Sequence, residues 1–190
     1  MQTEFIPIDY SYFDFEGKNY IRIVGRNKKG LRVCVIDDCP VYLWAILEDN
    51  LNSKEIEKIK KEVEKIEIDS KERKTKIEKI ELVKKQFLDK SVRALKVYTA
   101  NYKDLHDIAN RMVLKGISKR RGYDLGYITH YIIEKKLNPL EFYEISGEEI
   151  SNTNEFGGYG KGFDTDILIR LTSHKKTEEW NFKPKVIAYD

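Results

Sequence analysis

The sequence has 190 residues, 41% apolar and 35% charged, with a formal net charge of only +3. A chain of this length buries roughly 70% of its unfolded surface, enough for one domain or two small ones without disulfide or metal staples. The near-balanced charge excludes a polyanion binder that acts through its overall field, so any such affinity has to come from local clustering.

In chain order, Phe5 to Phe15 and Asn19 to Val24 alternate apolar and polar positions and predict two strands around the turn Glu16-Gly17-Lys18. Asn27-Lys28-Lys29-Gly30 predicts a second turn and Leu31 to Ile36 a third strand. Asp37-Asp38-Cys39-Pro40 interrupts this meander, and Val41 to Leu47 resumes as a strand too apolar on both faces for solvent. Cys34 and Cys39 have neither paired CxxC spacing nor His partners, so plain buried thiols in a reducing compartment are expected rather than a zinc site. No apolar run reaches the roughly 18–20 residues of a membrane span, and no apolar signal-peptide segment opens the chain. A soluble, cytoplasmic protein with no membrane partner is expected.

From Ser53, read as a helix cap, Ile56, Ile59, Val63 and Ile66 recur at helical spacing under a Glu/Lys coat. Strands follow at Lys76 to Phe87 and Val92 to Thr99, turning at Leu88-Asp89-Lys90-Ser91. A helix over Tyr102 to Leu114 buries Leu105, Ile108, Ala109 and Met112, and Ile117 to Arg121 is a short strand. The order from Val41 is strand, helix, strand, strand, helix, strand, the split arrangement of ferredoxin-like and RNA-recognition-type folds. That architecture hosts many activities and by itself decides none.

Basic, aromatic and helix-start signals converge between Lys119 and Tyr131. Lys119, Arg120 and Arg121 lead into Gly122, and Asp124 is read as the cap of a helix with Leu125, Ile128, Ile132 and Ile133 inward, ended by Asn138-Pro139. Cations beside Tyr faces and an electropositive helix N-terminus can hold a single nucleic-acid strand by its phosphates and stack its bases. The alternative left open is a surface cluster around an ordinary helix entry.

Glu141 to Ile145 and Ile167 to Thr172 predict strands, Ser151 to Gly162 a flexible loop, and Lys185 to Tyr189 a last apolar strand that stops at Asp190. A core strand ending there leads to the expectation that the sequence is cut from a longer polypeptide. The run Gly157-Gly158-Tyr159-Gly160-Lys161-Gly162 is not a P-loop, because Glu155 stands where the first Gly belongs and Gly162 where Ser or Thr belongs. His106, His130 and His174 are scattered, and no GxSxG occurs. Asp190, acidic at the end of an apolar strand, is how a two-metal nuclease begins its carboxylate set. One carboxylate cannot hold two ions, so the chain alone is expected to be catalytically inactive and without a cofactor.

With these pieces placed, the chain resembles the N-terminal domain of an archaeal-type family B DNA polymerase. The stretches that carry the resemblance are Ile8-Asp9-Tyr10; Val41 through Leu47; Lys85-Gln86-Phe87-Leu88 with Leu95-Lys96-Val97-Tyr98 and Lys103-Asp104-Leu105; and Tyr123-Asp124-Leu125 through Leu137. Lys185-Val186-Ile187-Ala188-Tyr189-Asp190 resembles the family's first exonuclease motif, cut after its Asp. The resemblance implies an α+β chain. An incomplete OB-like β-barrel is expected from residues 1–40 and 141–190, leading into an exonuclease domain, and a ferredoxin-like, RRM-like subdomain with an added helix from residues 41–140. It implies contact with single-stranded template DNA ahead of the active site of a DNA-directed DNA polymerase with 3'–5' exonuclease, whose domains would be the chain's covalent partners. The chain itself is expected to be monomeric. It also implies a template-base pocket that senses uracil, built from Tyr10, Val41, Tyr42, Leu105, Gly126, Tyr127 and His130, with phosphate contacts from Lys119, Arg120 and Arg121. Mg2+ is implied for the parent enzyme, with Asp190 as a metal ligand there. Three positions depart from the family pattern: Val41 and Gly126 stand where it has prolines, and His130 where it has arginine. Two other readings are a free-standing RRM-like single-strand-binding module and a purely structural domain.

Overall fold

The computed structural model describes residues 1–70, 73–151, 155–158 and 165–181. The predicted last strand, Asp190 and most of the glycine loop lie outside the described residues. The strands are β1 (Gln2–Phe15), β2 (Lys18–Arg26), β3 (Arg32–Asp37), β4 (Val41–Leu47), β5 (Glu67–Asp69), β6 (Lys74–Phe87), β7 (Lys90–Thr99), β8 (Ile117–Arg121), β9 (Tyr143–Glu149) and β10 (Ile167–Lys176); the helices are α1 (Ser53–Glu64), α2 (Leu105–Arg111) and α3 (Tyr127–Lys135). Among the described residues, no helix is long and apolar enough to cross a membrane.

The chain divides into two compact units. The first contains Met1–Phe15, Tyr20–Cys39 and the described residues from Tyr127 onward. Its strands close into a barrel in the order β1-β2-β3-β10-β9, with β9 returning to β1. The β3–β10 pair is parallel, while β2–β3, β9–β10 and β9–β1 are antiparallel. The ring of pairings is complete, one step beyond the incomplete barrel that the resemblance implied. Alternation places Ile21, Ile23, Val33 and Val35 in the interior, all closed to solvent together with Phe5, Ile145 and Ile169.

Gly25 belongs to the same inward row, where a Cβ would sit 2.1 Å from the Ile6 carbonyl oxygen and 2.5 Å from the Phe5 ring. The backbone atom cannot move aside as a side chain could. Gly25→Ala is therefore expected to destabilise the barrel by about 3 kcal/mol, read as a lowered urea midpoint; an unchanged midpoint would mean that the Phe5 ring does not fill this corner.

Two elements of this unit differ from expectation. The described part of the supposed flexible loop, Glu155–Gly158, is a 3-10 turn whose Phe156 is buried with Phe13, Cys34, Ile36 and Ile150 and meets the Tyr20 ring edge-on at 4.9 Å. A single aromatic anchor orders a segment that composition reads as loop. Helix α3 begins at Tyr127, not beside Asp124, and buries Tyr127, His130 and Tyr131 while Leu125 and Ile133 are exposed. The face is chosen by polar as well as apolar partners. The Tyr131 hydroxyl donates to Asp37 Oδ2 at 2.8 Å, Lys135 Nζ lies 3.0 Å from the same oxygen, and the Tyr10 ring packs tilted against Tyr131. These ties attach α3 to the first unit, whereas chain order grouped it with residues 41–140.

The second unit, Glu16–Asn19 with Pro40–Gly126, is built on a sheet in the order β5-β6-β7-β4-β8 with every pair antiparallel. Apart from the short edge strand β5, this is the strand order of the ferredoxin-like split β-α-β unit read from the sequence. The predicted helix over Tyr102 to Leu114 is a 3-10 turn, Tyr102–Asp104, running into α2, with Asp104 turned inward.

The cap of α1 is Asn52, one residue before the expected Ser53. Its side-chain oxygen accepts from the Lys54 and Glu55 amides at 3.0 Å each, and the Glu55 carboxylate accepts from the Asn52 amide at 2.8 Å. This reciprocal arrangement satisfies amides that have no partner inside the helix. Asn52→Ala is expected to cost about 1 kcal/mol in thermal or urea unfolding, and an effect near zero would contradict it.

Candidate functional site

Strand alternation sorts the second unit's sheet into two faces. Leu43, Ala45, Leu95 and Val97 line one face and are fully buried. The helices lie on that side: α2 packs on β4 and α1 on β6. Tyr42, Trp44 and Ile46 of β4 lie on the other, opposite Tyr98, Lys96 and Ala94 of β7, with Arg121 and Lys119 of β8 across from Trp44 and Ile46. Residues Lys79, Glu81, Lys85 and Phe87 of β6 continue this face.

The result is a patchwork of rings and ammonium groups. Lys96 Nζ sits 3.8 Å from the Tyr42 ring centre, 5.0 Å from Tyr98 and 5.5 Å from Trp44, while Lys85 Nζ lies 4.0 Å above Trp44. Tyr42 meets Trp44 and Tyr98 edge-on at 5.5 and 5.6 Å. At the far end Lys119 and Arg121 bracket Phe87 at 5.4 and 5.7 Å. The carboxylate among these positions, Glu81, is held by Lys79 at 2.5 Å and accepts from the Tyr98 hydroxyl at 2.9 Å, which keeps it below the usual carboxylate range. Such a surface offers stacking planes with cations beside them, which is what an unpaired nucleic-acid strand requires. Tyr42 is buried beneath Lys96, Trp44 and Tyr98 are half-buried, and Lys85 is exposed.

The three cations singled out in the sequence do not share one face of the sheet. Lys119 and Arg121 point to the aromatic face, but Arg120 pairs with Ala45 and its guanidinium donates to the Ala109 carbonyl of α2. Consecutive strand residues face opposite sides, so Arg120 lies on the helix-covered face, away from Lys119 and Arg121.

The seven predicted pocket residues are shared between the two units. In the first, the Tyr10 hydroxyl donates to the Leu137 carbonyl at 2.9 Å and the Tyr127 hydroxyl to the Cys39 carbonyl at 3.3 Å. Burial pushes both phenols well above their ordinary pKa, and Tyr127 and His130 are buried helix residues. Burial likewise raises the Cys34 and Cys39 thiols to about 11 and about 12, which disfavours their thiolate forms. In the second unit Val41 and Leu105 are buried, Gly126 is exposed, and Tyr42 is on the aromatic face.

Comparison with known proteins gives the surface a context. No family model matches. The chain is 25% identical over 135 residues to the DNA polymerase of Desulfurococcus sp. (strain Tok), and 28% identical over 136 residues to DNA polymerase 1 of Pyrococcus abyssi. Each match covers 70% of this chain and 17% of the relative. The family B DNA polymerase of Pyrobaculum calidifontis superposes with a TM-score of 0.74 at 19% identity, over 95% of this chain and 21% of that one. The chain is thus similar in sequence to archaeal DNA polymerases and in fold to a family B member. Its fold matches their N-terminal domain, and it spans about a sixth of the length of the curated polymerases it matches.

Among the described residues no group of three or more His, Cys, Asp or Glu side chains could hold a metal ion. Asp190, the residue that the resemblance offered as a Mg2+ ligand in the parent enzyme, lies outside the described residues. Sequence reading missed Trp44, Lys85, Lys96 and Phe87 as a group. The available signal was the period-two spacing of Tyr42 with Trp44 and of Lys96 with Tyr98.

Proposed function

We propose that this chain is the template-binding N-terminal domain of a family B DNA polymerase in DNA replication, holding single-stranded template on the aromatic face of its ferredoxin-like sheet. The observation that carries this reading is the edge-on cluster of Tyr42, Trp44 and Tyr98 around the Lys96 ammonium, on the face opposite the helices. Rings supply sequence-tolerant stacking and the flanking lysines take the phosphates, so the face suits a strand whose sequence changes as synthesis proceeds. Nucleotide transfer and exonuclease chemistry belong to the rest of the parent chain in this reading.

Fluorescence anisotropy of the 190-residue chain with a labelled 12-nucleotide single strand tests it. Binding should be tighter than to the matching duplex and should weaken with salt, at a log–log slope of roughly −0.7 for each phosphate contacted. No binding at low salt would sink the proposal and leave the structural-domain reading. Uracil sensing, which the resemblance implied, is not part of this proposal. Tyr127 and Leu105 are nearly closed to solvent and the Tyr10 and Tyr127 hydroxyls are engaged, so strands with one uracil should bind within about threefold of thymine controls. The free-standing RRM-like alternative would use the same face, and a clear preference for single-stranded RNA over DNA would favour it.

A further inference from the structure

Where the aromatic face reaches the β6–β7 hairpin it deepens into a cleft of about 520 Å³, within the range of small-molecule sites. It is lined by Ile46, Val92 and Phe87, with three carboxylates, Glu48, Asp49 and Asp89, set against the ammonium groups of Lys90 and Lys119. Ile46, Val92, Phe87 and Lys119 are on the same face as Trp44 and Lys96, so the cleft continues the track rather than opening elsewhere. The hairpin tip is also unusual. Leu88 holds φ at +53°, a conformation that favours glycine, with 81% of its surface exposed.

We propose that this cleft receives one base of the bound single strand and prefers bases that carry an exocyclic amino group. The inference rests on the template-binding reading above. Phe87 offers the stacking plane, and Leu88, otherwise surrounded by water, gains an apolar neighbour when a base enters. Lys119 and Arg121, close to the ring, hold the phosphates outside. The carboxylates of Asp49 and Asp89 repel a phosphate from the cleft but accept hydrogen bonds from the amino groups of cytosine, adenine or guanine. Thymine and uracil carry a carbonyl oxygen in place of the amino group, and their one edge donor, N3–H, is flanked by two carbonyl oxygens that repel a carboxylate.

The test compares dissociation constants of labelled (dC)12 and (dT)12 at pH 7.5 for the wild-type chain, for Phe87→Leu and for the double variant Asp49→Asn/Asp89→Asn, each checked for an unchanged thermal midpoint. The wild type should bind (dC)12 about tenfold more tightly than (dT)12. Phe87→Leu, which keeps apolar bulk but loses the ring, should weaken (dC)12 about fivefold or more. The double variant should reduce the preference below about threefold. Equal binding of both oligonucleotides by the wild type, or a preference unchanged in both variants, overturns the cleft while leaving the template track standing. Absence of binding to either oligonucleotide overturns both.

Discussion

Replacing Asp104 with alanine is expected to destabilise the chain by about 3–5 kcal/mol. The carboxylate is 4% exposed and accepts from Arg73 Nε at 2.8 Å, Arg73 Nη2 at 2.7 Å and the Thr75 hydroxyl at 2.5 Å. The bidentate fork joins the start of β6 to the entry of α2, two segments that chain order leaves far apart. Removing Asp104 strands the Arg73 guanidinium, itself only 19% exposed, beside a vacated polar site.

The same geometry sets a pH dependence. Burial alone would raise the Asp104 pKa, but the hydrogen bonds from Arg73 and Thr75 and the nearby charges of Arg73 and Lys103 outweigh it and hold the carboxyl below its usual value. The folded-state pKa thus lies under the unfolded one of about 3.9. The contribution is complete above that unfolded value and is lost as pH falls through the folded value. Urea unfolding of the wild type and of Asp104→Asn should therefore differ most at neutral pH and converge below about pH 4. A gap of equal size at pH 7 and in acid would contradict the ion-pair account.

The second large effect concerns binding. Trp44→Ala is expected to weaken single-stranded DNA binding by about 1–3 kcal/mol, roughly 5- to 150-fold, because the indole is the half-buried plane between Lys85 and Lys96. Trp44→Phe should recover most of that loss. Lys96→Gln should weaken binding and flatten the salt dependence, whereas Arg120→Gln, on the opposite face, should leave that slope unchanged. Equal losses from Arg120→Gln and Lys96→Gln would show that the two faces of the sheet have been wrongly assigned.

Much of the fold was legible where the signal is local. Val41–Leu47 and Ile117–Arg121 were read with their observed bounds, because a continuous apolar run and a short strand after Gly116 leave little choice. Helix α3 was misplaced because Leu125, Ile128, Ile132 and Ile133 also make an apolar stripe. The register that won depends on Asp37, more than ninety residues away along the chain, which accepts from Tyr131. Local periodicity carries no trace of such a partner.

The aromatic face was only partly legible for the same reason. Trp44, Lys85 and Lys96 come from three strands, and only the pairings of β4 with β7 and of β7 with β6 bring them together. Val41–Leu47 is apolar throughout, so its sequence alone does not reveal that Tyr42 and Trp44 belong to a face without helices. In the Lys119-Arg120-Arg121 triplet the sequence showed the charge but not its division between two faces, which follows once Arg120 is paired with Ala45.

The central claim is that an unpaired strand lies directly on Trp44. The chain has two tryptophans, Trp44 and Trp180. Among the described residues the buried Trp180 indole N–H has no hydrogen-bond partner, so Trp180→Phe should be tolerated and leave Trp44 as the single reporter. Titrating that variant with unlabelled (dT)12 should quench the Trp44 emission with the same midpoint as binding measured by anisotropy. Saturated binding with the Trp44 emission unchanged would contradict the account.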